Sequence, residues 1–180
     1  CISEGGYTVN PDNAAVTLDF TANLTCSVIT DMLKVCTKLL SPAGFEQVEW
    51  YGGGPGESLF DRSQFAKYGI WNSTATDLYF PYVKAQDTGS LSKVKWLSLA
   101  DPAKEYGLLV AGKQDLMASA LHFTADDLDQ AGHPYQLNPI EETVLTVDLI
   151  SRGTGGATCG QDTLGQYTVT NNREYSYQYT

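Results

Sequence analysis

Several short segments of the chain alternate apolar and polar residues at every second position, which is the period of a β-strand with one buried face. The segments 15–22, 45–52 and 143–151 follow this pattern, and Gly, Pro, Asn and Asp residues separate them. The segments 93–101 and 106–112 follow it as well, with the short turn DPAKE between them. These two segments therefore predict a β-hairpin.

The apolar positions of these strands are the candidate core. In 93–101 the alternation places Val94 and Trp96 on the buried face, and a one-residue slip would bring Leu97 and Leu99 there instead. In 45–52 the inward positions, or their neighbours, are Phe45, Val48 and Trp50. In the alternating carboxyl-terminal segment, one face is shared by Tyr175, Tyr177 and Tyr179.

Helical patterns are short. In 123–132, Thr124 is a good N-cap, two aspartates follow in the first turn, and Gly132 ends the pattern. The segment 61–69 predicts one further turn of helix. With 11 tyrosines and few helices, residues 1–180 are expected to form a single antiparallel β-sandwich domain, all-β with one or two short helices.

Charge excludes one class of partner. The chain has 11 Lys and Arg residues against 21 Asp and Glu residues, a formal net charge of −10, so no nucleic-acid partner is expected. The apolar runs are far shorter than the ~20 residues that a membrane-spanning helix needs, so no membrane partner is expected either. We expect a soluble protein of a bacterial cytoplasm or periplasm, the compartment being open.

The amino terminus begins with Cys1 and has neither Met nor the basic and apolar regions of a signal peptide. Two interpretations follow, a fragment of a longer protein or the processed end of an exported lipoprotein. We favour the fragment of a longer protein.

The residues that carry chemistry form no familiar catalytic or metal motif. Four cysteines and two histidines have no ligand spacing, so no metal site is expected. His122 and His133 are interpreted as hydrogen-bonded structural side chains. The carboxylates of 46–57 and 126–129 could in principle supply an acid/base pair, but they too are interpreted as structural. Glu46 and Glu49 are predicted solvent-facing strand positions, Glu57 a loop carboxylate, and Asp126, Asp127 and Asp129 helix-start charges.

The segment VEWYGGGPGESLFDR at 48–62 is the most specific in the chain. It resembles the W-x-G-x-G-P-x-E-x-Y-x-D-R signature in the carboxyl-terminal domain of glycoside hydrolase family 2 β-galactosidases. Leu59 stands where the family has Tyr. The positions that match are Trp50, Gly52, Gly54, Pro55, Glu57, Asp61 and Arg62.

Further segments resemble the same family in the same order, from about residue 30 to the end. DLYFPYVKAQDTG at 77–89 resembles the family's M-Y-x-P-Y-x-x-P-Q-E-N-G segment and departs from it at Ala85, Asp87 and Thr88. Its matching positions are Tyr79, Pro81, Tyr82, Gln86 and Gly89. Several independent motifs in one order make a chance match implausible.

The resemblance implies a galactose mutarotase-like antiparallel β-supersandwich without catalytic residues. In the family the two catalytic glutamates lie in a separate barrel domain, and the parent enzyme hydrolyses terminal β-galactosides with retention. We therefore expect this chain to be inactive alone, to support the barrel and to edge the sugar pocket. It would need no cofactor, any Mg²⁺ and Na⁺ being bound elsewhere in the parent. The expected partners are the parent's remaining domains, a galactoside and, through the parent, further copies of it.

One loop is implied to reach the sugar. In some relatives the segment after the G-x-G-G run presents an aromatic residue there, and here that segment is 153–164, with Cys159 nearest the corresponding place. A thiol cannot stack on a sugar as an aromatic ring does. The alternative is an ordinary β-turn with a packed cysteine. The candidate substrate-binding residues are Gly156, Thr158, Cys159 and Asp162, with Gly155 shaping the turn and Gln161 as a further polar candidate.

The residues that follow the glycine run are interpreted as structural. Gly52, Gly54 and Pro55 predict a sharp turn at the end of a strand. Glu57, Asp61 and Arg62 predict a local ion-pair network that holds this loop, since one guanidinium can pair with two carboxylates. Direct contact with a ligand is the alternative.

Two other functions stay open. A free-standing carbohydrate-binding module would stack sugars on exposed Trp71, Trp96 or tyrosines, although Trp96 has a core pattern. A mutarotase-like epimerase is suggested by kinship of fold alone, and it would need a glutamate base to converge with His122 or His133.

Overall fold

The computed structural model describes residues 2–10, 15–24, 31–155, 161–171 and 173–180. Within them the chain forms eleven β-strands and two short α-helices, so the predicted all-β class is confirmed. No helix in this described part is long and apolar enough to cross a bilayer.

The strands vary from two to sixteen residues in length. The first six are β1 Ile2–Asn10, β2 Ala15–Leu24, β3 Asp31–Met32, β4 Lys34–Ser41, β5 Gln47–Gly54 and β6 Lys67–Thr74. The others are β7 Leu91–Asp101, β8 Tyr106–Leu121, β9 Thr143–Ser151, β10 Val169–Thr170 and β11 Arg173–Tyr179. The α-helices are α1 Ala75–Leu78 and α2 Ala125–Gln130, and 3₁₀ turns occur at Phe60–Phe65, Pro134–Gln136 and Gly165–Tyr167.

The long strand β8 organises the sheet. Antiparallel strands are ordered β1-β2-β11-β8-β7-β5-β6, and β9 pairs with both β8 and β4. The predicted hairpin of 93–101 and 106–112 is the β7–β8 pair, in which Asp101 lies opposite Tyr106. β3 and β10 form a separate two-stranded ladder.

The larger of two hydrophobic clusters among the described residues forms the main core. Its centre holds Trp50 from β5, Leu97 and Leu99 from β7 and Leu145 from β9, each at most 1% exposed. Phe45 and Val48 are buried as predicted. The shared face of the last strand is buried too, with Tyr175, Tyr177 and Tyr179 at 3–5% exposure.

The prediction that Trp96 belongs to the core is wrong. The pairing of β7 with β8 shifts register between Val94 and Trp96. Beyond this irregularity Leu97 and Leu99 face inward, as the one-residue slip would have it, and Trp96 is half-buried on the other face. A bulge changes which side of the sheet every following side chain occupies.

Both predicted helical segments contain helix. α2 begins after Thr124, whose hydroxyl accepts from the Asp127 backbone while the Asp127 carboxylate accepts from Thr124, a complete capping box. In 61–69 the 3₁₀ turn Phe60–Phe65 is followed at once by β6. A strand therefore replaces the second half of that predicted turn.

Candidate functional site

The glycine run ends β5 in a turn that has no space for side chains. The ring of Trp71 lies directly where a Cβ on Gly54 would stand, so that position requires glycine. The Gly54–Pro55 peptide is cis, and the chain leaves the sheet there as predicted. The loop that follows carries the three charged residues of the motif.

Glu57 joins this loop to the segment 79–90. One carboxylate oxygen accepts hydrogen bonds from the Gly89 amide at 2.7 Å and from the Thr88 hydroxyl at 3.0 Å. The other accepts from the Tyr82 hydroxyl. Burial, then the hydrogen bond to Glu57, raises the pKa of Tyr82, so the phenol remains the donor.

Asp61 and Arg62 extend from the same loop to the segment 153–155. The Gly155 amide donates to Asp61 at 2.7 Å, and the Arg62 guanidinium donates to the Thr154 hydroxyl at 2.9 Å. Gly155 has φ +58°, a left-handed conformation that favours glycine. These bonds hold the first residues of the loop that was predicted to reach the sugar.

The motif residues therefore form one network, but the predicted ion pairs are absent from it. Within the described residues, Arg62 pairs with neither Glu57 nor Asp61. Its guanidinium instead donates to the Tyr82 hydroxyl at 3.4 Å and to Thr154. The network works through hydrogen bonds from the motif loop to two other segments, 79–90 and 153–155, which local spacing in the sequence could not reveal.

Arg152 anchors the other end of the loop. It donates to Asp31 at 2.5 Å and to both carboxylate oxygens of Asp162 at 2.7 and 2.6 Å. These hydrogen bonds lower the pKa of Asp162. Gly155 and Asp162, near the two ends of the loop 153–164, are thus both held by hydrogen bonds.

A family model described as beta galactosidase small chain matches residues 3–180. The chain belongs to the β-galactosidase small-chain family. It is 30% identical over 153 residues to a beta-galactosidase of Halalkalibacterium halodurans, covering 84% of this chain and 15% of that protein. A beta-galactosidase of Lactobacillus delbrueckii subsp. bulgaricus is 35% identical over 100 residues, covering 55% of this chain and 10% of that protein.

The small-chain family match fits the resemblance of 48–62 and 77–89. It extends further towards the amino terminus than the resemblance, to residue 3 instead of about residue 30. A beta-galactosidase of Actinobacillus pleuropneumoniae is 31% identical over 122 residues, covering 68% of this chain and 12% of that protein. In all three comparisons the chain spans at most 15% of the relative's length. The small-chain domain is therefore a minor part of the β-galactosidases that it matches.

The predictions of sugar contact in this domain differ in what the structure says of them. Gly156, Thr158 and Cys159 lie outside the described residues, so their contacts with sugar stay predictions. Asp162 is exposed and already bound to Arg152, which gives it an anchoring role in this structure. Gln161 beside it is exposed.

His122 does have a glutamate partner, but the polar atoms of both side chains already have partners within the protein. Its Nε2 lies 2.6 Å from Glu46, and its Nδ1 donates to the Glu142 carbonyl at 2.9 Å. The second oxygen of Glu46 accepts from the Thr76 amide at 3.1 Å. Both ring nitrogens and both carboxylate oxygens are thus occupied within the protein, as the structural interpretation of His122 predicts. The prediction of a solvent-facing strand position is wrong for Glu46, which precedes β5 and is turned towards His122.

The other candidate groups also have structural surroundings. Exposed His133 directs its Nδ1 at the Val83 carbonyl, 3.1 Å away. Glu49, Asp126 and Asp129 are exposed, and Asp127 caps α2. No three His, Cys, Asp or Glu side chains in the described part of the chain are grouped to hold a metal ion.

Sequence reasoning missed the partners that complete the network. Tyr82 lies in a matched motif, which was a usable signal, and Arg152 directly precedes the G-x-G-G run. It also missed a partly buried charge cluster, in which Lys34 contacts the half-exposed Asp87 at 2.8 Å and the buried Asp148 at 3.5 Å. These three residues are far apart in sequence and no local pattern connects them.

Proposed function

We propose that this chain is the non-catalytic carboxyl-terminal domain of a β-galactosidase whose parent hydrolyses terminal β-galactosides with retention. In this proposal it supports the catalytic domain and edges the sugar pocket with the loop 153–164. The observation that carries the proposal is the anchoring of that loop at both ends, by Asp61 and Arg62 at one end and by Arg152 at the other.

The engagement of the carboxylates supports a non-catalytic role. Retaining glycosidases use two carboxyl groups about 5–5.5 Å apart, both free to face the scissile bond. Here Glu57 accepts three hydrogen bonds, Asp61 holds Gly155, and Glu46 is paired with His122. The two carboxylates of the reaction would therefore belong to another part of the parent.

The loop would contribute binding and orientation. Thr158 and the backbone at Gly156 would offer hydrogen bonds to sugar hydroxyls, and Cys159 would occupy the place of an aromatic ring. Asp162 would keep Arg152 in position and so hold the loop end. In this proposal any Mg²⁺ or Na⁺ of the parent would be bound outside this chain. Contacts between copies would be made through the parent.

The test is a gain of binding at the loop. In the intact parent, Cys159→Trp restores an aromatic ring, and we expect it to lower KM for an aryl β-galactoside at least threefold with little change in kcat. The control is Gln166→Trp, an exposed position outside the loop core. An unchanged KM for Cys159→Trp would contradict contact between loop and sugar, and turnover by this chain alone would contradict the non-catalytic role.

A second candidate, a sugar-binding module, is favoured by one observation. Tyr51 contacts Tyr68 and Trp96 on the outer face of the sheet, at ring distances of 4.7 and 6.5 Å. The rings are tilted by 62° and 38°, however, which is poor for a flat stacking platform. Trp71 instead covers Gly54 and donates to the Lys67 carbonyl. Titrating the isolated chain with lactose while following tryptophan fluorescence tests this candidate, which predicts saturable binding lost in Trp96→Ala.

A further inference from the structure

Four exposed side chains and the half-buried Tyr82 form a largely aromatic surface beside the anchored loop. Val83 is 85% exposed, Tyr135 81% and Phe80 54%, which is unusual for large apolar residues in adjacent positions. Tyr82 and His133 complete the group, which we call the aromatic surface. It is built from the two loop segments that follow α1 and α2.

Internal contacts hold the aromatic surface in one arrangement. The His133 ring stacks on Tyr135 at 5.4 Å and 17°, and its Nδ1 joins the Val83 carbonyl at 3.1 Å. The rings of Phe80 and Tyr82 lie 4.7 Å apart. A preorganised surface loses little conformational entropy when a partner covers it, so these exposed side chains are suited to binding.

The aromatic surface is continuous with the network of the candidate site. The hydroxyl of Tyr82 donates to Glu57, and the guanidinium of Arg62 lies 6.0 Å from the centre of the Tyr82 ring while it holds Thr154. The surface and the loop 153–155 are therefore parts of one side of the domain. A partner domain that contacts the loop would therefore contact the aromatic surface too.

The choice of partner follows from charge and size. The chain carries a net charge of −10, which opposes association with a second copy, while exposed Arg62 and Lys84 put cations at the edge of the surface. The matched β-galactosidases are several times longer than this chain, which covers 10–15% of them. Aromatic and Arg residues are also those enriched in protein interfaces.

We infer that the aromatic surface docks on the catalytic domain of the parent β-galactosidase, in a contact with an apolar centre and carboxylates opposite Arg62 and Lys84. This inference rests on the proposed function and specifies which side of the chain the catalytic domain occupies. Val83 and Tyr135, as the most exposed side chains, would lose the most surface to the partner.

The test measures binding of the 180-residue chain to the separately expressed remainder of its parent. In Val83→Asp/Tyr135→Ser we expect the Kd to rise at least tenfold, with activity recovered when the variant chain is saturating. The matched control is Ile70→Asp/Tyr68→Ser on the outer face of β6, where the two side chains are 65% and 48% exposed. The control is expected to change the Kd less than twofold.

Each result has a distinct meaning. If the wild-type chain fails to bind the remainder, the proposed function fails. If the wild type binds and Val83→Asp/Tyr135→Ser binds equally well, only the location of the interface is overturned, and a loss confined to the β6 pair would move it to that face. If the variant changes only the self-association of the chain, the aromatic surface binds a second copy of the chain instead of the catalytic domain. Thermal melting checks that each variant folds. If Val83→Asp/Tyr135→Ser does not fold, Phe80→Ser is tested in its place.

Discussion

Glu57 is the residue on which the motif network depends. Three donors from the segment 79–90 converge on its carboxylate, and two of them, Thr88 and the Gly89 amide, are buried. A buried donor that loses its acceptor costs free energy because water cannot replace the lost hydrogen bond. The identity of this residue is therefore set by its partners and needs no contact with a ligand.

We expect Glu57→Gln to lower the free energy of unfolding by about 2 kcal/mol, because one amide oxygen cannot accept all three hydrogen bonds. Urea unfolding at neutral pH measures the change. The matched control is Glu49→Gln, an exposed carboxylate of β5, which should change stability by less than about 0.5 kcal/mol. Equal effects at the two positions would show that the Glu57 hydrogen bonds add nothing to stability.

The partly buried cluster of Lys34, Asp87 and Asp148 predicts a pH-dependent effect. Asp148 is fully buried, and burial raises its pKa to about 6 even though Lys34 opposes the change. Without Lys34 the folded pKa of Asp148 rises further, away from its unfolded value near 3.8. Folding then takes up a proton, so stability falls as pH increases from the unfolded towards the folded pKa.

Lys34→Met should therefore cost about 3 kcal/mol at pH 8 and clearly less at pH 5. Urea unfolding at both pH values measures the difference. Lys38→Met, an exposed position on the same strand, is the control and should have a small effect at both. A pH-independent loss for Lys34→Met would mean that Asp148 does not take up the proton.

At the scale of elements, His122 and Glu46 tie three parts of the fold together. The pair connects the residue before β5 to the start of α1 through Thr76 and to the start of β9 through Glu142. Burial opposes the charged ring of His122, but its hydrogen bonds outweigh this and raise its pKa. Burial likewise opposes the Glu46 carboxylate, and the hydrogen bonds from His122 and Thr76 outweigh it and lower its pKa.

The stability that this pair contributes should be greatest between the two unfolded pKa values, 4.5 for Glu46 and 6.5 for His122. Stability from a raised histidine pKa is lost as pH rises through the folded value, and that from a lowered carboxyl pKa is lost as pH falls. His122→Ala should therefore destabilise more at pH 5.5 than at pH 9, as measured by thermal melting. A larger loss at pH 9 would contradict the ion pair, and His133→Ala is the exposed control.

The elements could be predicted wherever local alternation decides them. The strands over 45–52 and 143–151 and the capping box at Thr124 follow from short-range patterns. The face occupied by Trp96 could not be predicted, because it depends on a bulge that only the pairing of β7 with β8 creates.

The motif residues of the candidate site could be predicted from the sequence, but their hydrogen-bond partners could not. Spacing showed that Glu57, Asp61 and Arg62 belong to one loop, but their partners lie 20 to 94 positions away in the sequence. Tertiary contacts at such separations carry no signal in a single sequence. The replacement of ion pairs by bonds to Tyr82 and Thr154 is a consequence of that long-range packing.

At the scale of the whole molecule, the chain is a β-sandwich whose distinctive residues support a loop. Its family motif is used to hold the segments 55–62, 79–90 and 153–155 together on one side. That side also carries the aromatic surface, with its highly exposed Val83 and Tyr135. Both features suit a domain that packs against a larger domain.

The most direct test of this account is hydrolysis of a chromogenic β-galactoside by the chain, by the separately expressed remainder of its parent, and by their mixture. We expect the chain alone to be inactive, and the rate of the mixture to rise with chain concentration to a plateau at least tenfold above the remainder alone. Turnover by the chain alone, or a rate in the mixture that does not depend on the chain, would contradict a supporting role.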